Sequence, residues 1–155
     1  MTSLAPLSGP LGVTFRNEDA LLKAAGGAIA VGTLVVLSAA NADHPLIFDT
    51  ATAASAVDGT TSDLHLMYGV ATSAATAAGD KLMVRIKGQV DATTGGSVTK
   101  ADTLIAGAGV LVTGAAEASA DKAQKVIAVA LETDVGTTAS VLIDGVNGLG
   151  SLPVT

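Results

Sequence analysis

Residues 126–145, VIAVALETDVGTTASVLIDG, contain two apolar runs separated by a glycine-bearing turn and closed by a glycine. An earlier stretch, residues 67–88, MYGVATSAATAAGDKLMVRIKG, has the same pattern with a turn two residues longer. The matching positions are Val70-Ala71 with Val129-Ala130, and Val84, Ile86 and Gly88 with Val141, Ile143 and Gly145. Internal similarity of this kind predicts two related halves within one small body.

The similarity continues upstream of both stretches, where GTLV at 32–35 matches DTLI at 102–105. These matches place two pseudo-repeats at about 28–90 and 100–146. Short apolar runs with glycine-rich turns at this spacing are typical of strands. We therefore predict an all-β fold, a small β-barrel or sandwich built from two related halves, with at most one or two short helices.

Individual segments give local predictions. Residues 81–87 alternate, with Leu82, Val84 and Ile86 on one side, which predicts a half-buried strand. Residues 125–131 are apolar on both faces and predict a central strand. Residues 17–23, NEDALLK, start with a capping residue and two acids, and predict a helix of at most two turns.

Residues 1–17 predict an extended N-terminal arm ahead of a single β-rich domain at 18–155. Pro6 and Pro10 lack an N–H and bias their predecessors toward extended geometry. One interpretation is a disordered terminus. The other is an arm that docks on a neighbour by adding a strand to an exposed sheet edge. Its candidate contact residues are Leu4, Leu7, Leu11, Val13 and Phe15.

The composition limits the possible partners. The 155 residues suffice for one domain, and a net charge of −6 argues against nucleic acid, because phosphate binding requires clustered cations. Only 14% of residues are charged, fewer than on a typical soluble monomer. This favours a surface that is partly covered by other chains and partly made neutral by Ala, Gly, Ser and Thr. Residues 24–42 lack charge but contain glycines and no flanking aromatic anchors, so a membrane partner is not expected.

No motif in the sequence nominates an active site, and we expect neither enzymatic activity nor a cofactor. The two histidines, His44 and His65, each have an aspartate nearby; a weak ion site at Asp63 and His65 is conceivable, but an ordinary surface histidine is the simpler interpretation. The remaining candidates are aspartates at turns or strand ends, where this residue type serves local backbone hydrogen bonds. They are Asp80, Asp91, Asp102, Asp134 and Asp144.

Three of the eight cationic residues, Lys81, Arg85 and Lys87, share one face of the predicted strand at 81–87. A solvated strand face is the simpler interpretation. If the face binds a partner, an acidic protein surface fits the overall negative charge better than nucleic acid does, and association would then depend on salt.

Five segments follow one another in a fixed order: TLVVL (33–37), GVATSAATAAGDKLMVRIKGQV (69–90), ADTLIAGAGVLV (101–112), VIAVALET (126–133) and GTTASVLIDG (136–145). Their order resembles the small capsid decoration, or cement, proteins of tailed bacteriophages. The resemblance covers roughly residues 28–146. Two positions depart from the pattern: Ala128 stands where glycine is common, and Thr137 where the first copy has Asp80.

This resemblance implies a structural virion protein, made in the host cytoplasm, with a β-barrel-like body on the exterior of an icosahedral head. It implies the major capsid protein as partner, with the chain clamping adjacent capsid subunits of an expanded shell, often through an N-terminal arm. It also implies a homo-oligomer, with a trimer favoured over a dimer. The alternative function is a module of a trimeric phage fibre or spike, or of a bacterial surface adhesin, which repetitive β-rich sequence suits equally well.

Overall fold

The computed structural model describes residues 18–24, 27–37, 47–51, 67–114 and 124–152. Within these residues the chain forms strands and no helix, so the predicted all-β fold class is confirmed. The strands are β1 (Glu18–Ala24), β2 (Leu34–Leu37), β3 (Ile47–Thr50), β4 (Tyr68–Ala71), β5 (Lys81–Thr93), β6 (Thr103–Ala106), β7 (Leu111–Thr113), β8 (Gln124–Val126), β9 (Ala128–Ala130), β10 (Thr138–Asp144) and β11 (Gly150–Leu152).

Nine strands form one curled sheet in the order β1-β3-β2-β4-β5-β10-β9-β6-β7, while β8 and β11 pair separately. Strand β1 pairs in parallel with β3 and in antiparallel fashion with β5. Because β3 leads through β2 and β4 back to β5, five strands form a closed set of pairings. We call this set, in which β5 contributes residues 81–87, the first ring.

A second ring consists of residues 88–93 of β5 together with β10, β9, β6 and β7. It closes just past the end of β5, where Thr94 forms a parallel bridge with Leu111. The Gly95 N–H also donates to the Leu111 carbonyl at 2.8 Å. Strand β5 therefore belongs to both rings, which accounts for its length of 13 residues.

The hydrogen bonds of the two rings correspond. Ile29 and Ala75 exchange two backbone hydrogen bonds, both of 2.9 Å, ahead of β2. Val98 and Asp134 do the same ahead of β6, at 2.8 and 3.0 Å. Following the pairings around each ring equates β1 with the second half of β5, β2 with β6, β3 with β7, β4 with β9, and the first half of β5 with β10.

The turn that leads into the second strand of each ring also corresponds. The Gly32 N–H donates to the Ala71 carbonyl, and the Ala101 N–H donates to the Ala130 carbonyl, both at 2.8 Å. Gly32 and Ala101 have positive φ angles of 86° and 74°, a backbone conformation that is unusual for alanine. This correspondence is shifted by one residue from the match between GTLV and DTLI in the sequence.

The structural repeat thus spans residues 18–87 and 88–144. These bounds differ from the sequence-based prediction because β1 and residues 88–93 share no visible sequence pattern, although they occupy the same position in their rings. Residues 18–24 form a strand, so the predicted helix at 17–23 is wrong: pairing along β5 outweighs the local capping signal. The predicted strand at 125–131 is divided into β8 and β9 at Ile127.

Each ring has its own apolar interior. That of the first ring is formed by Ile29, Val35, Phe48, Ala71, Ala75, Leu82 and Val84. The equivalent residues of the second ring, Val98, Leu104, Leu111, Ala130, Ala139 and Val141, belong to the larger cluster of the protein. The other faces of β2 and β4 join that larger cluster through Leu34, Val36, Tyr68 and Val70. The two rings therefore pack into a single body.

Candidate interaction surfaces

The predicted contact residues of the arm, Leu4, Leu7, Leu11, Val13 and Phe15, lie outside the described residues, as do His44, Asp63 and His65. Their roles stay predictions. The structure does position the second predicted set, the cations on the first half of β5.

Lys81, Arg85 and Lys87 lie on the outward-facing side of β5, whose inward-facing side includes the buried Leu82 and Val84. Lys81 is exposed and the side chain of Lys87 is 47% exposed. The Arg85 Nη1 donates to the carbonyl of Gln89, four residues along the same strand. The outward-facing side of this half of β5 therefore presents cationic side chains that are at least partly exposed to solvent.

Two of the three cationic residues, Arg85 and Lys87, lie opposite acidic residues of the same chain in the register of the sheet. Strand β1 runs antiparallel to β5, and its register sets Asp19 opposite Arg85 and Glu18 opposite Lys87. The Nζ of Lys87 also lies 3.4 Å from Oδ2 of Asp144. Lys87 is therefore paired within the chain, and both interpretations of this face, solvated or partner-binding, stay predictions.

Asp144 is a nearly buried carboxylate at the end of β10. Its Oδ1 accepts hydrogen bonds from the N–H groups of Asn147, at 3.0 Å, and Val146, at 3.3 Å. Burial alone would raise the pKa of Asp144, but these two N–H groups and the Lys87 ammonium favour the ionised form, and the net shift is downward. The carboxylate thus holds the turn after β10 against β5.

Lys125, in strand β8, contacts the same turn after β10. Its Nζ donates to the Val146 carbonyl at 3.1 Å. Burial lowers the pKa of Lys125, while the charge of Asp144 opposes that shift. Asp144 and Lys125 therefore stabilise the turn from two sides, because both side chains form hydrogen bonds with its backbone.

This geometry predicts that Asp144 makes stability depend on acidity. The pKa of Asp144 in the folded state lies below its unfolded value of about 3.9. The stabilisation that the ionised carboxylate contributes is therefore present above a pH of about 3.9 and is lost as the pH falls through the folded-state pKa. We expect Asp144→Asn to cost about 1–2 kcal/mol at pH 7, since a charge-assisted interaction is removed. The difference from the parent should shrink at acidic pH in urea-unfolding curves; a difference independent of pH would contradict this role.

The other predicted aspartates are mostly turn residues. The Asp80 carboxylate accepts hydrogen bonds from the N–H and hydroxyl of Thr76 and from the N–H of Ala77. These bonds lower the pKa of Asp80, and those from Thr76 contribute most. Asp102 and Asp134 likewise accept from the backbone within their own turns. Asp91 differs, because it lies exposed within β5.

Asp80, Asp102 and Asp134 are each engaged in a turn of their own. Across the described ranges, no group of three or more histidine, cysteine or acidic residues is placed to hold a metal ion. Likewise, the described part of the chain contains no helix with the length and apolar character needed to span a membrane.

The structure also shows exposed apolar side chains at turns, which sequence reasoning missed. Val135 is 87% exposed and Val31 60%, and Val146 and Leu149 also face solvent. Each of the four adjoins a glycine in the sequence. An apolar residue beside a turn glycine is therefore the signal that could have found them.

Comparison with known proteins gives a match in structure only. No known protein family matches the sequence, and no curated protein matches it. Among solved structures, the chain is similar to the N base of head fiber gp8.5 of bacteriophage phi29, with a TM-score of 0.54 and 17% identity. The match covers 87% of this chain and 99% of that chain. At this identity the likeness shows a shared fold.

Proposed function

We propose that this chain is a structural protein of a phage virion, bound to the outer surface of an expanded icosahedral head. In this role it clamps adjacent major capsid subunits and stabilises the shell against the pressure of internal DNA. The observation that carries the proposal is the shared fold with the base of a phage head fiber, over nearly the whole of both chains. The order of motifs that resembles capsid decoration proteins points to the same location.

The architecture suits a mechanical role. Two rings share β5 and a continuous apolar cluster, so the body transmits force without a flexible linker between its halves. Asp80, Asp102 and Asp134 hold local turns, and Asp144 holds a turn and pairs with Lys87. A homo-oligomer, with a trimer favoured, would multiply the contacts of each body with neighbouring capsid subunits.

The stabilisation follows from mass action. A protein that binds the expanded shell but not its precursor lowers the free energy of the expanded state alone. At a free concentration 100 times the Kd, one site contributes about 2.7 kcal/mol. Many such sites acting on one shell would oppose its rupture.

The test is binding to heads of the virus that encodes the chain. Purified protein is sedimented with expanded heads and, as the matched control, with unexpanded heads. We expect saturable binding to expanded heads alone, and a higher temperature of DNA release from decorated heads. Equal binding to both shells, or binding to neither, contradicts the proposal.

The N-terminal arm has a separate test. Deleting residues 1–17 should leave the melting temperature of the body close to that of the full chain and abolish its occupancy on expanded heads. The reason is that the arm would supply strand addition and apolar contacts to the capsid. Circular dichroism checks the fold, and quantitative gel analysis of pelleted heads measures occupancy. Full decoration by the truncated protein would refute this role of the arm.

A second candidate is the base module of a fibre or spike, and the identity of the structural neighbour as a fiber base favours it. A fibre base carries a projecting part of the fibre, whereas a clamp acts through its contacts with capsid subunits alone. Cryo-EM of purified virions separates the two functions, because only a fibre base would show density that projects outward from each copy of the body.

A further inference from the structure

We infer that β1 is an exchangeable strand: the place beside the first half of β5 can be filled by residues 18–24 of a second copy of this chain. The inference concerns self-association through a shared ring, and it does not depend on the proposed capsid function. It rests on a difference between two positions that are otherwise equivalent in the two rings.

The difference is one of chain connection. In the second ring the equivalent strand is residues 88–93, which continue directly from residues 81–87 of the same β5. That strand is joined to the body at both of its ends. Strand β1 is followed by only a short stretch before Ile29 pairs with Ala75, and it is the first of the described strands in the sequence. Its departure would remove its own pairings with β3 and β5 and leave the pairings among the other described strands intact.

The pairing of β1 is also unequal on its two sides. Along β5 the register runs from Glu18 to Lys23, whereas along β3 it includes only Lys23 and Ala24. A strand from a second copy would reproduce all of these pairings in the same register. Exchange thus costs the entropy of association but no hydrogen bond, which makes it a low-cost route to oligomers.

The connection after β1 has a suitable hinge. Gly27 has φ of +133°, which L side chains rarely adopt, and no atom lies within 4 Å of where its Cβ would be. Glycine populates both positive and negative φ readily, so Gly27 can serve as the hinge. Short connections of this kind favour exchange, since a small change in the hinge redirects the strand to a neighbour.

Charge in the register specifies the occupant. The edge of β5 presents Arg85 and Lys87; the backbone register of β1 sets Asp19 opposite Arg85 and, beyond a register shift, Glu18 opposite Lys87. Opposite charges directly across an antiparallel pair are favourable, and like charges are not. A second copy carries the same two acids in the same order, so it fits the edge better than an arbitrary extended peptide does.

The test uses engineered cysteines, because the chain has none of its own. Leu21 lies opposite Met83, and the equivalent pair in the second ring is Asp91 opposite Ser140. The variant L21C/M83C reports on the exchangeable strand, and D91C/S140C is its matched control. In the control, the strand is fixed in its own ring by the continuity of β5.

The two pairs are matched in local geometry. The Met83 N–H donates to Ser73 Oγ at 2.9 Å, and the Ser140 N–H donates to Glu132 Oε1 at 2.8 Å. Both N–H groups therefore point away from the opposite residue of the pair, which makes each a non-hydrogen-bonded pair. The two Cα atoms of a non-hydrogen-bonded pair are about 4.5 Å apart, which lies within the range of about 4.4–6.8 Å for disulfides.

Each variant is mixed as equal parts of isotopically heavy and light protein, oxidised with glutathione disulfide at a series of concentrations, digested, and analysed by mass spectrometry. We expect heavy–light disulfide-linked peptides from L21C/M83C, in a proportion that rises with concentration. The control should give only heavy–heavy and light–light links. Same-isotope links alone from L21C/M83C at every concentration would overturn the inference.

If L21C/M83C does not fold in its reduced form, K23C/K81C tests the same strand, with T93C/T138C as its control. These residues are opposite each other in the same registers. Because the experiment uses purified protein without heads, a failure of the capsid function leaves its outcome unaffected, and the reverse also holds.

Discussion

Replacing Gly145 by alanine is expected to destabilise the protein by about 3 kcal/mol or more, because the new methyl group would overlap main-chain atoms. A Cβ at this position would collide with the Tyr68 carbonyl oxygen and lie 2.6 Å from its carbonyl carbon. No side-chain rotation relieves such a clash. The same glycine accepts from the Tyr68 N–H and donates to the Ile86 carbonyl, both at 2.9 Å, so the two rings would have to separate at this junction.

Gly96→Ala is the matched control for this prediction. A Cβ on Gly96 would have no atom within 4 Å, and this glycine does not need a positive φ. Its replacement should change the free energy of unfolding by less than about 0.5 kcal/mol, as for an unconstrained surface position. Urea-unfolding curves measure both variants; a Gly145→Ala variant as stable as Gly96→Ala would show that the rings do not meet at Gly145.

The second large effect is expected at Phe48, which is fully buried in the first ring. Phe48→Ala should cost about 3–5 kcal/mol, through lost apolar burial and the cavity left behind. Phe48 is the largest side chain of that interior, and the surrounding strands are held in a closed set of pairings that limits collapse. The measurement is the free energy of unfolding in urea.

The internal repeat supplies the control for Phe48. Leu111 occupies the equivalent position in the second ring, so leucine is compatible with this place in the fold. Phe48→Leu should therefore lose clearly less stability than Phe48→Ala. Equal losses for the two variants would contradict the equivalence of β3 and β7.

The sequence predicted the class of fold because apolar residues recur at equivalent interior positions. Val84 and Val141 face the interiors of their two rings, and Ala71 and Ala130 pair with them. Which strands form each ring could not be predicted from the sequence. Residues 88–93 and β1 are equivalent by pairing alone, and a strand that continues from one ring into the next has no separate signature in the sequence.

The incorrect helix at 17–23 has a physical cause. A capping residue and early acids favour a helix locally, but the effect is about 1 kcal/mol. Pairing along β5 supplies a ladder of hydrogen bonds from Glu18 to Lys23. Local sequence gives no information about a partner strand more than fifty residues away, and tertiary pairing decides the conformation.

For the candidate surfaces, alternation in residues 81–87 correctly predicted which residues face outward. It did not predict that Asp144 would meet Lys87, because that contact depends on the register between β5 and β10. The expectation that aspartates serve turns is confirmed at Asp80, Asp102 and Asp134, where the acceptor lies within a few residues of its donor. Local chemistry was predictable, and long-range register was not.

The most direct measurement of the proposed function is a cryo-EM map of expanded heads incubated with the purified protein. We expect density for the two-ring body on the outer surface, repeated at equivalent sites, with each copy touching at least two adjacent major capsid subunits. Heads without such density, or copies that each touch a single subunit, would contradict the claim that this chain holds neighbouring capsid subunits together.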